Sequence, residues 1–250
     1  MIIESMLAIL NKEIQSFFSS LTGYLVIGLF LIACGFFLFV FSGGYNILDS
    51  GFADLKPFFN LAPWIFLFLI PAISMKSFAD EKRMGTMEIL LTKPIGIWKL
   101  ITGKYLGVLF LVILAIIPTL LYVLTISQLG RPQGNFDVGA TIGSYIGLVF
   151  LGGCYAAIGI FASSLSSNQI VSFLLGVFLC FVCYYAFEGL AQTNIFGTSS
   201  YILESFGISF HYKSISRGVV DTRDLIYFLS LIFLFLKLTE INLSATKNRR

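Results

Sequence analysis

Hydrophobic positions along this chain fall into long uncharged runs separated by short polar segments, and one polar segment stands apart. Residues 78–104, FADEKRMGTMEILLTKPIGIWKLITGK, carry Asp80, Glu81, Lys82, Arg83, Glu88, Lys93, Lys99 and Lys104 between two strongly apolar stretches. The runs around it have membrane-crossing length. Residues 21–41 are uncharged over 21 positions, about 30 Å of helix and the thickness of a bilayer core. A second span is expected over 61–79, with Trp64 as an interface anchor and Lys76 snorkelling at the other end. A third covers 105–129 and should kink at Pro118. Residues 138–187 hold no charge for 50 positions, more than twice one crossing, so this run must fold back on itself. Its one polar cluster, Ser163, Ser164, Ser166, Ser167, Asn168 and Gln169, divides it into spans at 139–162 and 170–187. The last span, 225–243, is the weakest. Its uncharged part, 225–236, reaches only about 18 Å, and Lys237 and Glu240, three apart on one helical face, must pair for it to continue.

Before the first span, Ile3, Met6, Leu7, Leu10, Ile14, Phe17, Phe18 and Leu21 recur at intervals of three and four, with Glu4, Asn11, Lys12, Glu13 and Gln15 opposite. That spacing predicts an amphipathic helix over 1–20 lying in the plane of the membrane surface. A cleavable signal fits less well, because Lys12 and Glu13 interrupt the apolar core and no small-residue cleavage site follows. Gly143 and Gly147 form a GxxxG, and Gly159 with Ser163 extends the small-residue pattern, which suits close helix packing.

Composition agrees with one membrane domain over 1–250. The chain is 57% hydrophobic and 12% charged, with a mean hydropathy of +0.91, about half the charge density of soluble domains. No polar connection is long enough for a separate soluble domain. No basic run interleaves with aromatics in the way nucleic-acid binding requires. Orientation follows from the basic residues. Lys12, Lys76, Lys82, Arg83, Lys93, Lys99, Lys104, Lys237, Lys247, Arg249 and Arg250 gather on one side, against Lys56, Arg131, Lys213, Arg217 and Arg223 on the other. The richer side is expected to face the cytoplasm with both termini, which requires an even number of spans; six satisfies it.

Catalytic and cofactor signatures are missing from the sequence. Residues 96–104, GIWKLITGK, have six residues between glycines where a phosphate loop needs four, and Tyr105 stands where Ser or Thr would hold magnesium. LSSNQ at 165–169 lacks the paired glycines of the transporter ATPase signature LSGGQ. Cys34, Cys154, Cys180 and Cys183 lie in apolar runs and read as small hydrophobes. His211, the one histidine, reads as a surface or interface residue, and Glu188 as a solvated carboxylate at the end of a span. An enzyme, a metal site and a cofactor site are all unexpected. A proton-coupled carrier needs ionisable groups near the midplane, and Glu188 is the sole candidate. Any active transport must therefore draw its energy from another subunit.

Segment 80–96 is where such a subunit would dock. Asp80, Glu81, Lys82 and Arg83 would give a charged surface; Gly85 lets the backbone turn; Met87, Ile89, Leu90 and Leu91 offer apolar anchors; and Pro94 with Gly96 stops the element. Glu81, Gly85, Thr86, Glu88, Leu90, Leu91 and Pro94, followed by Gly103, Lys104 and Tyr105, resemble the E-x3-G-T-x-E-x-L-L-x2-P … G-K pattern of ABC-2 type transporter permeases. Residues 159–176 look like that family's turn between its fourth and fifth spans. The likeness covers the whole chain and is closest to the permease associated with bacterial gliding motility. It implies an all-α integral membrane fold of the type V exporter-like kind, with six transmembrane helices and an N-terminal interface helix. It further implies a coupling helix at 80–96, an extracytoplasmic re-entrant segment at 188–224, and residence in the inner membrane. The implied partners are a cytoplasmic ABC ATPase and a second permease subunit, either a copy of itself or a larger gliding-associated membrane component. A membrane scaffold for a motility or secretion machine is the alternative.

Overall fold

Every element is helical in the computed structural model, which describes residues 2–49, 51–92, 96–193 and 200–248. Along the chain run α1 (Ile2–Phe18), α2 (Leu21–Gly35), α3 (Lys56–Ser74), α4 (Lys76–Arg83), α5 (Thr86–Thr92), α6 (Ile97–Ile116) and α7 (Leu120–Leu129). They are followed by α8 (Val138–Leu165), α9 (Gln169–Phe181), α10 (Phe187–Ala191), α11 (Ser200–Glu204), α12 (Ile208–Ile215) and α13 (Thr222–Asn248). Wider π turns prolong α2 over Phe36–Val40 and α9 over Val182–Ala186.

Among the described residues, five helical runs are long and apolar enough to cross a membrane: Gly23–Val40, Lys56–Arg83, Ile97–Leu129, Val138–Leu165 and Gln169–Ala191. α13 is the sixth long helix, 27 residues or about 40 Å. Lys237 and Glu240 do pair on it, at 2.6 Å, with the Lys237 ammonium 5.0 Å from the centre of the Trp98 ring. Together with amphipathic α1, this is the architecture expected of an ABC-2 type membrane domain.

α8 is the central post. Its most apolar stretch is 78% buried, against 22% for those of the runs built on α2 and α9, which lie at the periphery and turn Leu25, Leu29, Ile32, Leu174 and Phe178 outward. Small residues let neighbours close on it. A Cβ added at Gly152 would stand 2.7 Å from Val112 of α6, and one at Gly159 would stand 2.0 Å from the Ser74 hydroxyl of α3. Buried Cys154 and Cys180 pack in this core, as does Cys34 of α2.

Several helices are longer than their uncharged stretches. α3 starts at Lys56, whose N–H is accepted by the Asp54 carboxylate at 3.1 Å, with Pro57 in a first turn that needs no donor from it. α6 starts at Ile97, so Lys99 and Lys104 are helical. The expected kink at Pro118 is a 3-10 turn, Ile117–Thr119, joining α6 to α7. Among its described residues, segment 188–224 holds most of α10, all of α11 and α12, and the start of α13.

Candidate functional site

The charged end of the bundle is built around α4, and α4 begins at a break. α3 contains Pro63 and Pro71 and ends at Ser74, and the chain turns at Met75 before resuming. The hydroxyl of Ser163, on α8, fills that break: it accepts from the N–H groups of Phe78 at 2.9 Å and Ala79 at 3.1 Å, and donates to the Met75 carbonyl at 2.8 Å. One donor and two acceptors are all a hydroxyl has. A neighbouring helix thus supplies the cap that α4's own sequence lacks.

One face of α4 turns into a closed ion cluster. The Lys104 ammonium, on α6, is 1% exposed and donates to Glu13 of α1 at 2.7 Å, Glu81 of α4 at 3.0 Å and the Ser77 carbonyl at 2.6 Å. Its three protons are all used. Lys12 of α1 adds a second cation 3.2 Å from Glu81, so two lysines and two glutamates sum to zero charge. α1 reaches this position because α6 is bare beside Lys104. A Cβ at Gly103 would lie 3.0 Å from Ile9, and one at Gly107 would lie 2.9 Å from the Glu13 Cβ.

The opposite face of α4 is tied to the α8–α9 turn. Gln169 donates to Asp80, which also pairs with Arg83 at 3.3 Å, and Lys82 donates to the Ser164 carbonyl. Asn242 of α13 donates to that same carbonyl at 2.7 Å. Asn168 caps α9 by accepting from Ile170 N–H at 2.9 Å. Ser164, together with Gln169 at the end of the LSSNQ that follows it, thus joins α4, α8, α9 and α13.

The docking residues read from the sequence therefore separate into two groups. Glu81 is 6% exposed and is not part of a charged surface, because Lys104 and Lys12 hold it inside; Asp80 and Lys82 also spend their charge on internal partners. Arg83, Met84, Glu88 and Ile89 face outward, with Met84 and Ile89 both more than 60% exposed. Within the outward group Gly85 makes the turn at φ +69°, a conformation a side chain would strain, and Thr86 donates back to the Glu81 carbonyl at 3.3 Å. Met87 is buried and Leu90 half-buried, so these two anchor α5 inward. The side chain of Leu91, and Lys93 and Pro94 entirely, lie outside the described residues. A groove of about 510 Å³ opens between this turn and the end of α13, lined by Lys82, Gly85, Met87, Glu88, Thr92, Thr246 and Lys247.

At the far end, Gly143 and Gly147 seat α12 rather than a neighbouring span. A Cβ at Gly143 would stand 2.7 Å from the Ile215 carbonyl, and one at Gly147 would touch Tyr212 at 3.4 Å. Tyr212 donates to the Phe59 carbonyl of α3 at 2.8 Å, and burial pushes its phenol well above the usual range, keeping the donor in place. Ser144 donates to the Ser216 carbonyl at 3.1 Å. Two expectations fail here. The Glu188 side chain is only 16% exposed and pairs with Lys213 at 2.6 Å, so it is not a solvated boundary carboxylate. The His211 side chain is only 12% exposed and lies between Asp224 and the Ser205 carbonyl, so it is not a surface residue. In each case a partner distant in the sequence makes burial affordable. Trp64, expected as an interface anchor, packs against Tyr184 and Tyr185.

Compared with known proteins, residues 3–232 match the family model described as ABC-2 family transporter protein. No curated protein matches the chain.

Proposed function

The chain belongs to the ABC-2 family of transporter proteins, and on that premise we propose that its outward turn over 83–92 is where a separate ATPase subunit docks, with α4 carrying the motion inward. The family is a membrane transport component whose ATP hydrolysis resides in another subunit, so this chain is the permease side of an ABC transporter. The observation that carries the docking reading is the contrast between α4 and the turn at Gly85. α4 spends Asp80, Glu81 and Lys82 on α1, α6 and the α8–α9 turn; Met84 just before Gly85, and Glu88 and Ile89 after it, present a mixed apolar and charged face beside an open groove. Apolar anchors inside a charged rim suit a specific protein partner. A push on α5 would reach α1, α6 and α13 through bonds already made to α4.

The distribution of basic residues supports an inner-membrane, multi-pass topology with this end and both termini in the cytoplasm, 80–96 as the coupling segment and 188–224 as the extracytoplasmic one. The sequence resemblance supports a second permease subunit as partner, this chain again or a larger gliding-associated component, and surface motility as the process served.

Co-expression with the ATPase subunit tests the docking reading. Met84→Glu combined with Ile89→Glu is expected to abolish co-purification while leaving the melting temperature of the permease unchanged. Full retention of the ATPase by this variant overturns the assignment. An ATPase that binds wild type but whose turnover ignores the permease would make the chain a scaffold.

A further inference from the structure

We propose that His211 and Asp224 form a proton-operated latch holding α12 against α13 at the far end of the bundle. This goes beyond the docking reading and does not depend on it.

Both ring nitrogens of His211 face oxygen: Nδ1 lies 2.7 Å from Asp224 Oδ1, and Nε2 lies 2.9 Å from the Ser205 carbonyl. A carbonyl accepts only, so Nε2 must carry a proton. The Nδ1 to Oδ1 contact then needs a second proton, seated on the imidazole or on the carboxyl. If the pair holds only one proton, each arrangement places a lone pair against an oxygen. With it on Nε2, Nδ1 faces a carboxylate across 2.7 Å; with it on Nδ1, Nε2 faces a carbonyl across 2.9 Å. Losing the shared proton therefore breaks one of the two bonds in either tautomer.

The surroundings make that loss felt. Asp224 is 4% exposed and its second oxygen is buried without a hydrogen-bond partner, so an ionised carboxylate there leans on the imidazole and on the positive N-terminal end of α13, whose first turn it occupies. Tyr227 stacks on the ring at 3.8 Å between centroids, while its hydroxyl donates to the Phe206 carbonyl at 2.6 Å, away from the pair. Among the described residues, other ionisable groups lie on the elements packed against α12: Arg223 adjoins Asp224 on α13, and Cys154 and Tyr155 are on α8. Glu188 of α10 is committed to Lys213, Tyr201 and Glu204 sit on α11, Cys183, Tyr184 and Tyr185 on the turn before α10, and Tyr145 on α8 bonds Thr119.

The latch has mechanical reach because α12 is also the piece that Gly143 and Gly147 seat on α8 and that Tyr212 ties to α3. Acidification closes both bonds; alkalinisation breaks one of them, to Asp224 of α13 or to the Ser205 carbonyl, and so loosens the hold on α12. A transporter carrying this element would respond to pH on the side of the membrane where α12 lies.

The test is amide hydrogen exchange of α12 in the full-length protein in lipid nanodiscs, from about pH 5 to pH 9 and corrected for the intrinsic rate. Wild type is expected to lose protection over 208–215 by roughly tenfold as pH rises, the worth of one charge-assisted hydrogen bond. His211→Gln and Asp224→Asn should each flatten that step, whereas Glu188→Gln should keep it; melting curves identify any variant that fails to fold. The chain has a single histidine, so selective ¹⁵N-histidine labelling of wild type gives a readout that needs no variant: its two nitrogens should change state together with the exchange step. A flat wild-type profile, a step that survives His211→Gln, or a step that vanishes with Glu188→Gln overturns the proposal.

Discussion

Replacing Lys104 by Met tests whether the charged end is held by its ion cluster. The side chain is 2% exposed, and it faces Glu13 and Glu81, whose side chains are 18% and 7% exposed. Removing it leaves two buried carboxylates with one compensating cation, Lys12, whose side chain is 61% exposed. Breaking a buried pair from one side costs about 3–5 kcal/mol, because the orphaned charge stays inside. For a chain of this size that corresponds to a melting temperature lower by about 6–20 °C. Buried Cys34, Cys154 and Cys180 provide the assay, since a thiol-reactive dye reports their exposure on unfolding without added labels. The informative comparison is the triple variant Lys104→Met, Glu13→Gln, Glu81→Gln, which removes the charges together. It should recover most of the loss, since replacing a whole buried ion network by neutral groups of similar volume is often close to neutral. If Lys104→Met melts within about 2 °C of wild type, or the triple variant melts as low as the single one, the cluster is not what holds α1 to α4 and α6.

Two further outcomes are expected. Gly107→Ala places a Cβ 2.9 Å from Glu13 and should cost about 1–3 kcal/mol in the same dye assay, whereas Gly28→Ala, with nothing within 4 Å, should be neutral or mildly stabilising. Ser163→Ala strands the amides of Phe78 and Ala79 at the start of α4, costing about 1–3 kcal/mol. Amide exchange at these two positions should accelerate, and unchanged exchange would show that water or a relaxed backbone replaces the hydroxyl.

Hydropathy runs made the long helices legible, because bilayer thickness fixes how many apolar residues a crossing needs, and the three-and-four spacing of the first segment gave α1. The sequence showed less of where charges go. Asp80, Glu81 and Lys82 look like a solvated surface when read along the chain, since their partners Gln169, Lys104 and Ser164 lie between 23 and 89 residues away. Glu188 and His211 were misread for the same reason, their partners standing 25 and 13 residues on. The GxxxG at Gly103 and Gly107 is written in the sequence but straddles the expected start of the third span at 105, with Lys104 inside it, so it does not stand out as a packing motif. Only the contact with Glu13 explains why a lysine and two glycines belong together there.

The separation between Glu13 and Lys104 also bears on how the protein is made. They stand 91 positions apart in sequence, and at about 5–20 residues per second the ribosome takes roughly 5 to 20 seconds to deliver the lysine after the glutamate. During that interval the first helix has no counter-charge to bind and must wait at the lipid headgroups, where water solvates its acid. α1 is thus seated only once α6 has been made.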